Sequence, residues 1–361
     1  MTRGPSGSRS FPRQCEDFVP LSRSVGMVLA HDITEIRQGE FKGPAFRRGH
    51  VIRREDLCHL QRLGKERIRI LRIGEDEVHE DDAAITMAEA LMGEGLSIQG
   101  PPREGKVNLV AAYDGLLKVD REALLAFNMH EDLMCASMHT NTLVNGGQVI
   151  AGTRAIPLVL RRETLETACA AARGCGGSVL SVRRLRRPRV GVVITGSEVF
   201  TGKVRDAFAP IIRAKVQAVN GEITGLHYTP DDRDAIRGRL EELIAAGADF
   251  LITTGGMSVD PDDVTRFAIR DLGVADMHYG SAVLPGAMVL VGTVQGECGA
   301  IPVLGIPACG MYHKITIFDL LFPRLLAGEN ITRRDLAELG HGGMCLGCEQ
   351  CRYPVCPFGK C

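Results

Sequence analysis

The sequence predicts an α/β protein whose principal domain is a mostly parallel sheet covered by helices on both faces. Three observations carry that prediction. From Val190 onward, short β-branched runs alternate with helical segments. The runs at 190–194 and 250–253 each open into a Gly-containing turn. The intervening helices carry start and stop signals, such as Pro230-Asp231-Asp232 before one and Gly247 after it. Strands and helices alternating at this length argue for parallel pairing through helical crossovers.

Residues 1–15 are rich in Ser, Arg, Pro and Gly and read as a disordered N-terminus. Residues 16–74 carry Gly-punctuated apolar runs such as Ile68-Arg69-Ile70-Leu71, which predict a small β-rich module with one helix near 54–63. Residues 75–160 predict an α+β module. An acidic stretch at 75–82 leads into a helix at 83–91, with Ala84, Met87, Ala88 and Leu91 at helical spacing. The segment 105–112, a turn at Asp114-Gly115, a helix at 121–127 and alternating strand-like pieces at 142–150 and 155–160 follow. Residues 161–189 read as a connecting helix and a basic, solvated linker, Arg183-Arg184-Leu185-Arg186-Arg187-Pro188-Arg189.

In the domain spanning 190–330, the strand at 190–194 runs into Thr195-Gly196-Ser197-Glu198. A helix over 209–219 closes at Asn220-Gly221, and a strand over 222–227 precedes the helix that starts at Pro230 and runs to 246. The strand at 250–253 opens into Thr254-Gly255-Gly256-Met257-Ser258. The apolar segment 315–326 predicts a core helix interrupted by Pro323. The domain is expected to be complete by about Gly328, with residues 331–361 forming a separate Cys-rich tail.

Composition limits the function. The chain has 361 residues, enough for two or three domains. Its formal net charge is −1 and it has no Trp and 5% aromatic residues, which argues against a nucleic-acid binder. The N-terminus has no apolar signal-like core, and no apolar run reaches the ~18 residues of a membrane span. A cytoplasmic protein without a membrane partner is expected. Twelve cysteines then read as thiols or metal ligands.

In open parallel sheets, ligands sit beyond the carboxyl ends of the strands. The turns at 195–198 and 254–258 lie there. Glycines let backbone N–H groups crowd an anion, and a following helix start adds partial positive charge. Carboxylates cannot bind phosphate directly, but they can hold a Mg²⁺ that does. A phosphorylated or oxyanionic ligand with its metal is the chemistry this pattern suits.

Thr254-Gly255-Gly256 followed by Asp263-Val264-Thr265 resembles the signature of molybdopterin-binding domains, found in molybdopterin adenylyltransferases, molybdopterin molybdenumtransferases and gephyrin. The turn at 195–198, the Pro230-Asp231-Asp232 helix entry and Leu304-Gly305-Ile306-Pro307 match further motifs in the same order. The likeness covers about 188–328. Residues 16–160 resemble the molybdenumtransferase N-terminal half more loosely. The resemblance implies a three-layer α/β/α domain that binds molybdopterin, its metal-loaded cofactor or a nucleotide form of it. It implies that Thr195, Gly196, Ser197, Thr254, Gly255, Gly256, Ser258, Asp232 and Pro307 bind the ligand. It implies that Glu198, Asp206 and Asp263 serve Mg²⁺ or molybdate in a catalytic role. It also suggests a homodimer and a molybdoenzyme client.

The sequence departs from that family at three places. Asp206 is followed by Ala207-Phe208 rather than a Ser/Thr-Asn pair. Leu284-Pro285-Gly286-Ala287 lacks the family's two lysines. Gly305-Ile306-Pro307-Ala308-Cys309-Gly310 replaces Gly-Leu-Pro-Gly-Asn-Pro. Lost lysines remove charge partners for anionic oxygens. Binding survives such losses more easily than catalysis, which needs charge placed for the transition state. Two functions therefore stand: Mg²⁺-dependent molybdate insertion into adenylylated molybdopterin, and a non-catalytic cofactor carrier or insertion chaperone. A nucleotide-binding regulator is a third.

In the tail, Cys345-x₂-Cys348-x₂-Cys351 precedes Cys356-Pro357 and Cys361. This spacing lets several thiolates reach one centre and is near the bacterial ferredoxin run, with one extra residue before the last ligand. Zn²⁺ and an iron–sulfur cluster both remain open, as does a tail of redox-labile thiols. Cys309 sits in the 305–310 loop and reads as a small buried thiol or as a group near the ligand. His227, His278 and His313 read as packing or surface residues. Asp231, Asp232 and Asp262 stand at helix starts, where carboxylates cap.

Overall fold

The computed structural model describes residues 16–37, 41–71, 73–173, 177–257, 263–297 and 299–360. Six strands form the predicted sheet: β1 (Arg189–Thr195), β2 (Glu222–Thr229), β3 (Phe250–Thr254), β4 (Ala275–Tyr279), β5 (Leu290–Gly296) and β6 (Gly299–Ile306). Their order is β2-β1-β3-β6-β5-β4. β1 runs parallel to β2 and β3, and β3 parallel to β6. β5 is antiparallel to β6 and to β4. The helices are α1 (Ser197–Phe200), α2 (Phe208–Gln217), α3 (Arg233–Ala245), α4 (Thr265–Asp271), α5 (Ile317–Leu326) and α6 (Arg333–Glu338).

Strand alternation sorts the core into two layers. Val190, Val192 and Ile194 of β1, with Phe250 and Ile252 of β3, share one core with Ile212 of α2 and Phe318 of α5. Val193 and Leu251 face the opposite layer, with Ile236, Leu240 and Leu243 of α3 and Ile269 of α4. Each such side chain contributes about 1.5–3 kcal/mol on burial. That is why β1 and β3 read as unbroken apolar runs: a sheet covered on both sides buries both of its faces.

Three expectations need correction. α5 is not interrupted at Pro323, which lies inside the helix. The ring costs one backbone hydrogen bond, yet every residue of α5 except Asp319 is buried. That burial holds the helix through the proline. The 183–189 stretch is also not a free linker. Arg184 stacks on the Tyr113 ring at 3.5 Å, and Arg186 donates to the Asp249 carboxylate (2.6 Å) and carbonyl (2.9 Å). Finally, the tail is packed rather than detached. Phe358 is buried in the same core as Leu320 and Leu336. A β-carbon on Gly359 would lie 2.4 Å from the Leu320 side chain.

Ahead of this domain, helices Glu80–Leu91 and Arg162–Arg173 share one core with strands Lys106–Ala111 and Val149–Ala155. Leu165, Ala168 and Ala172 place the expected connecting helix inside that core. The N-terminal strands and the helix Asp56–Arg62 enclose a smaller core around Leu29, Ile33 and Leu60. The expectation for residues 1–15 lies outside the described residues.

Candidate functional site

β1 and β3 are neighbours, while the chain leaves β1 for β2 on the other side, so the strand order reverses between them. This is where open α/β sheets leave a crevice. The two conspicuous turns meet there. Thr195 Oγ1 donates to the Thr254 carbonyl (3.1 Å) and lies 3.2 Å from Thr265 Oγ1. One hydroxyl therefore ties the end of β1 to the end of β3 and the start of α4. Gly255 and Gly256 both have positive φ, +81° and +56°. A β-carbon on Gly255 would lie 2.4 Å from the Thr195 carbonyl oxygen, and one on Gly256 would lie 2.4 Å from Thr265 Oγ1. Only glycine fits this turn, and the crowding comes from the protein itself. Thr253 and Thr254 each bury a hydroxyl oxygen without a hydrogen-bond partner. Such atoms cost about 1–3 kcal/mol unless water or a ligand satisfies them.

A cavity of about 690 Å³ opens beside this turn. Gly255, Gly256, Met257 and Asp263 form one wall, and the 284–288 segment a second. Pro307, Ala308, Cys309 and His313 close a third side, and Met344, Cys345 and Gly347 reach in from the tail. Burial pushes the Cys309 thiol above its ordinary range, which keeps it protonated and a poor nucleophile. The lining is mostly apolar, and the positions where the resemblance leads one to expect lysines are held by Leu284 and Ala287.

The expected site residues divide sharply. Gly255, Gly256, Asp263 and Pro307 line the cavity, while Thr195, Gly196 and Thr254 are buried just behind it. Ser197 and Asp231 bind each other: Ser197 N donates to Asp231 Oδ2 (2.9 Å), and Asp231 N donates to Ser197 Oγ (3.3 Å). Asp232 caps α3 by accepting from Ala235 N (2.8 Å). Asp206 accepts from Phe208 N (2.8 Å) and Ala209 N (2.9 Å), which caps α2, and from the Tyr228 hydroxyl (3.1 Å). Burial, with the Asp206 carboxylate alongside, pushes Tyr228 above its usual range. Glu198 is exposed and folds back over Gly196, where a β-carbon would lie 3.0 Å from Glu198 Oε1. Ser258, Asp262 and Cys361 lie outside the described residues.

Among the described residues no three His, Cys, Asp or Glu side chains converge tightly enough to hold one metal ion. Neither Glu198, Asp206 and Asp263 nor the tail thiols form such a group. His313, read from sequence as packing or surface, is a wall residue instead. So are Met344, Cys345 and Gly347. The tail reaches the cavity because Leu284 N donates to the Gly343 carbonyl and Cys345 N to the Leu284 carbonyl, each at 2.8 Å. No sequence signal marks such a pairing across some sixty positions.

Residues 191–327 match the family described as "probable molybdopterin binding domain". This segment is a molybdopterin-binding family domain. Residues 18–72 match a domain of unknown function. The chain is similar over 89 residues to a CinA-like protein of Mycobacterium sp. (strain MCS), at 35% identity, covering 23% of this chain and 21% of that protein. A molybdopterin molybdenumtransferase of Bacillus subtilis is 27% identical over 298 residues, covering 78% of this chain and 64% of the relative. The chain thus spans about a fifth of the CinA-like relatives it matches and under two thirds of the transferase. Among solved structures, MoaB from Pyrococcus furiosus, a tungsten cofactor synthesizing protein, aligns with TM-score 0.32 and 20% identity, over 40% of this chain and 97% of that one. A molybdopterin biosynthesis MoeA protein from Pyrococcus horikosii aligns with TM-score 0.31 and 15% identity, over 89% and 75%. The fold of the molybdopterin-binding domain rests on its own sheet order and layers.

Proposed function

We propose that this protein holds molybdopterin in the 690 Å³ cavity and acts as a carrier in molybdenum cofactor biosynthesis. The observation that carries the proposal is the wall composition beside the twin-glycine turn. Backbone N–H groups of a positive-φ turn suit a phosphate. Apolar walls from Met257, Leu284 and Met288 suit a flat ring system. Leu284 and Ala287 leave no fixed ammonium in that wall to answer developing charge, which favours binding over turnover. The unpartnered threonine hydroxyls at the end of β3 fit a polar ligand or bridging water there.

A second reading is Mg²⁺-dependent molybdate insertion; the Bacillus relative is named a molybdopterin molybdenumtransferase. It is favoured by Asp263, a carboxylate in the cavity wall that would hold Mg²⁺. In this reading Asp206 would have to leave its present partners, and Glu198 would have to turn away from Gly196. Either way, the chain would work as a cytoplasmic homodimer, and a molybdoenzyme would receive the cofactor. Oxygen-free incubation with adenylylated molybdopterin, molybdate and Mg²⁺ tests the choice. Tight binding without product supports the carrier, and turnover that Mg²⁺ removal abolishes supports the transferase.

A further inference from the structure

The module ahead of the molybdopterin-binding domain sets three like charges in a row. Strand Lys106–Ala111 pairs antiparallel with Val149–Ala155, and Lys106 stands directly opposite Arg154. Arg103 pairs with Lys106 across the turn Glu104-Gly105, where φ is +52° and +68°. Two positive φ values in succession make a tight two-residue hairpin, and Arg103 and Lys106 exchange both backbone hydrogen bonds at 3.0 Å. Directly opposed residues share one face of a sheet, so register alone holds the three cations side by side over about 10 Å, two strand spacings. Val107, Leu109 and Ala155 take the other face into the core, and Arg103, Lys106 and Arg154 are exposed.

Like charges directly opposite each other destabilise a ladder. Several exposed arginines elsewhere, such as Arg53, Arg161, Arg239 and Arg334, stand against a glutamate. Among the described residues none of these three cations makes an ion pair. The acids around the hairpin are engaged: Glu104 pairs with Arg47, and Asp81 accepts from Gly105 N (2.9 Å). Glu80 is half-buried beside Gly105, and Arg154 is one of several charges acting on it. Two cavities, of about 440 and 530 Å³, open on the cationic face and share Lys106 and Asn108 as wall; no described Asp or Glu lines either. Asn108 donates to Gln99 Oε1 (3.1 Å) in the smaller one. The larger one continues over Gly152, opposite Asn108, to Met134, Ala136 and Met138. The face is thus cationic at one end and apolar at the other, with amides and a bare glycine between. A row of about 10 Å brackets two adjoining phosphates, whereas a nucleic-acid strand needs a longer basic track.

We propose that this sheet face binds a nucleoside diphosphate, with its phosphates between Arg103, Lys106 and Arg154 and its base over Gly152 and the Met134, Ala136 and Met138 strip. The bound phosphates relieve the repulsion that the register imposes. The face lies outside residues 191–327, and the proposal does not rest on the molybdopterin reading.

The full chain is titrated calorimetrically, at low salt, with ADP, with inorganic pyrophosphate and with adenosine. One ADP per chain is expected, bound about tenfold or more tightly than either fragment, with an affinity that falls as salt rises. Lys106→Met and Arg154→Met remove a charge at exposed positions and keep an apolar stem. Each is expected to weaken ADP binding about tenfold or more and, without ligand, to melt no lower than the parent, because a repulsion is gone. Ala308→Trp alters the molybdopterin cavity and is expected to leave ADP affinity unchanged, so failure of this site and failure of the carrier reading show separately. No ADP binding, equal ADP affinity in both methionine variants, or loss of ADP binding in Ala308→Trp would overturn the site. Pyrophosphate that binds as tightly as ADP would overturn the place given to the base. A glutamate-rich peptide that binds while ADP does not would overturn the small-ligand reading, and lower melting of the ligand-free methionine variants would overturn the repulsion.

Discussion

Room for one β-carbon decides whether the 255–256 turn can exist. Gly256→Ala forces a side chain into φ +56° and to within 2.4 Å of Thr265 Oγ1. The left-handed backbone alone costs about 1–2 kcal/mol. A lower melting temperature together with weaker molybdopterin binding is expected, measured by calorimetry and titration. The sequence marked these glycines as a turn that lets backbone N–H groups approach an anion; in the structure it is Thr195 and Thr265 that leave no room for a side chain there. Asp263 makes a complementary prediction. Asp263→Asn keeps the shape and removes one hard anionic ligand, so any Mg²⁺ enhancement of ligand binding should vanish. An equal Mg²⁺ response in variant and parent would remove the metal role. Asp206 and Asp232 show why site residues are hard to read singly. Both were marked by motif, yet both carboxylates accept backbone N–H groups at helix starts. A helix start is where a cap and a ligand-binding acid look the same in sequence.

The first three strands of the α/β domain were legible to within two residues, because β-branched runs bounded by glycine have few other uses, whereas β4, β5 and β6 were not read from the sequence. Nor were the final helices read in full. Tertiary burial overrides local signals there, as in α5, which continues through Pro323. α6 opens with a capping box in which Asp335 accepts from Thr332 N (2.9 Å). Asp335 also accepts from Arg324. Burial would raise the Asp335 pKa, but the Thr332 and Arg324 hydrogen bonds overcome it and hold it at about 2. The folded value is thus below the unfolded one. Its stabilisation is fully present above about pH 4 and is lost as pH falls towards 2. Asp335→Asn should cost about 2 kcal/mol at neutral pH and flatten the acid limb of a stability profile between pH 4 and 2. An unchanged acid limb in the variant would contradict this account of the cap.

At the scale of the molecule, two contacts join parts that sequence reading keeps apart. Lys118 of strand Gly115–Val119 donates to Glu329 after α5 (2.7 Å). Burial lowers the lysine's pKa, and Glu329 opposes that shift. Glu329 also accepts from Arg324 (2.9 Å). Glu329→Gln weakens both interactions and should cost about 1.5–3 kcal/mol in a denaturant titration. The tail is the second join. Removing 341–361 would uncover the core around Leu320 and take Met344, Cys345 and Gly347 from the cavity wall. Lower stability and weaker ligand binding are both expected, whereas a detached tail would leave both unchanged. The most direct test of the central claim is an oxygen-free titration of molybdopterin into the parent chain and into Ala308→Trp. Ala308 is exposed and lines the cavity, so a bulky side chain there fills space without entering the core. The account predicts one ligand bound per chain in the parent and a large loss of affinity in the variant. Equal affinity in the two proteins, or no binding by the parent, would contradict it.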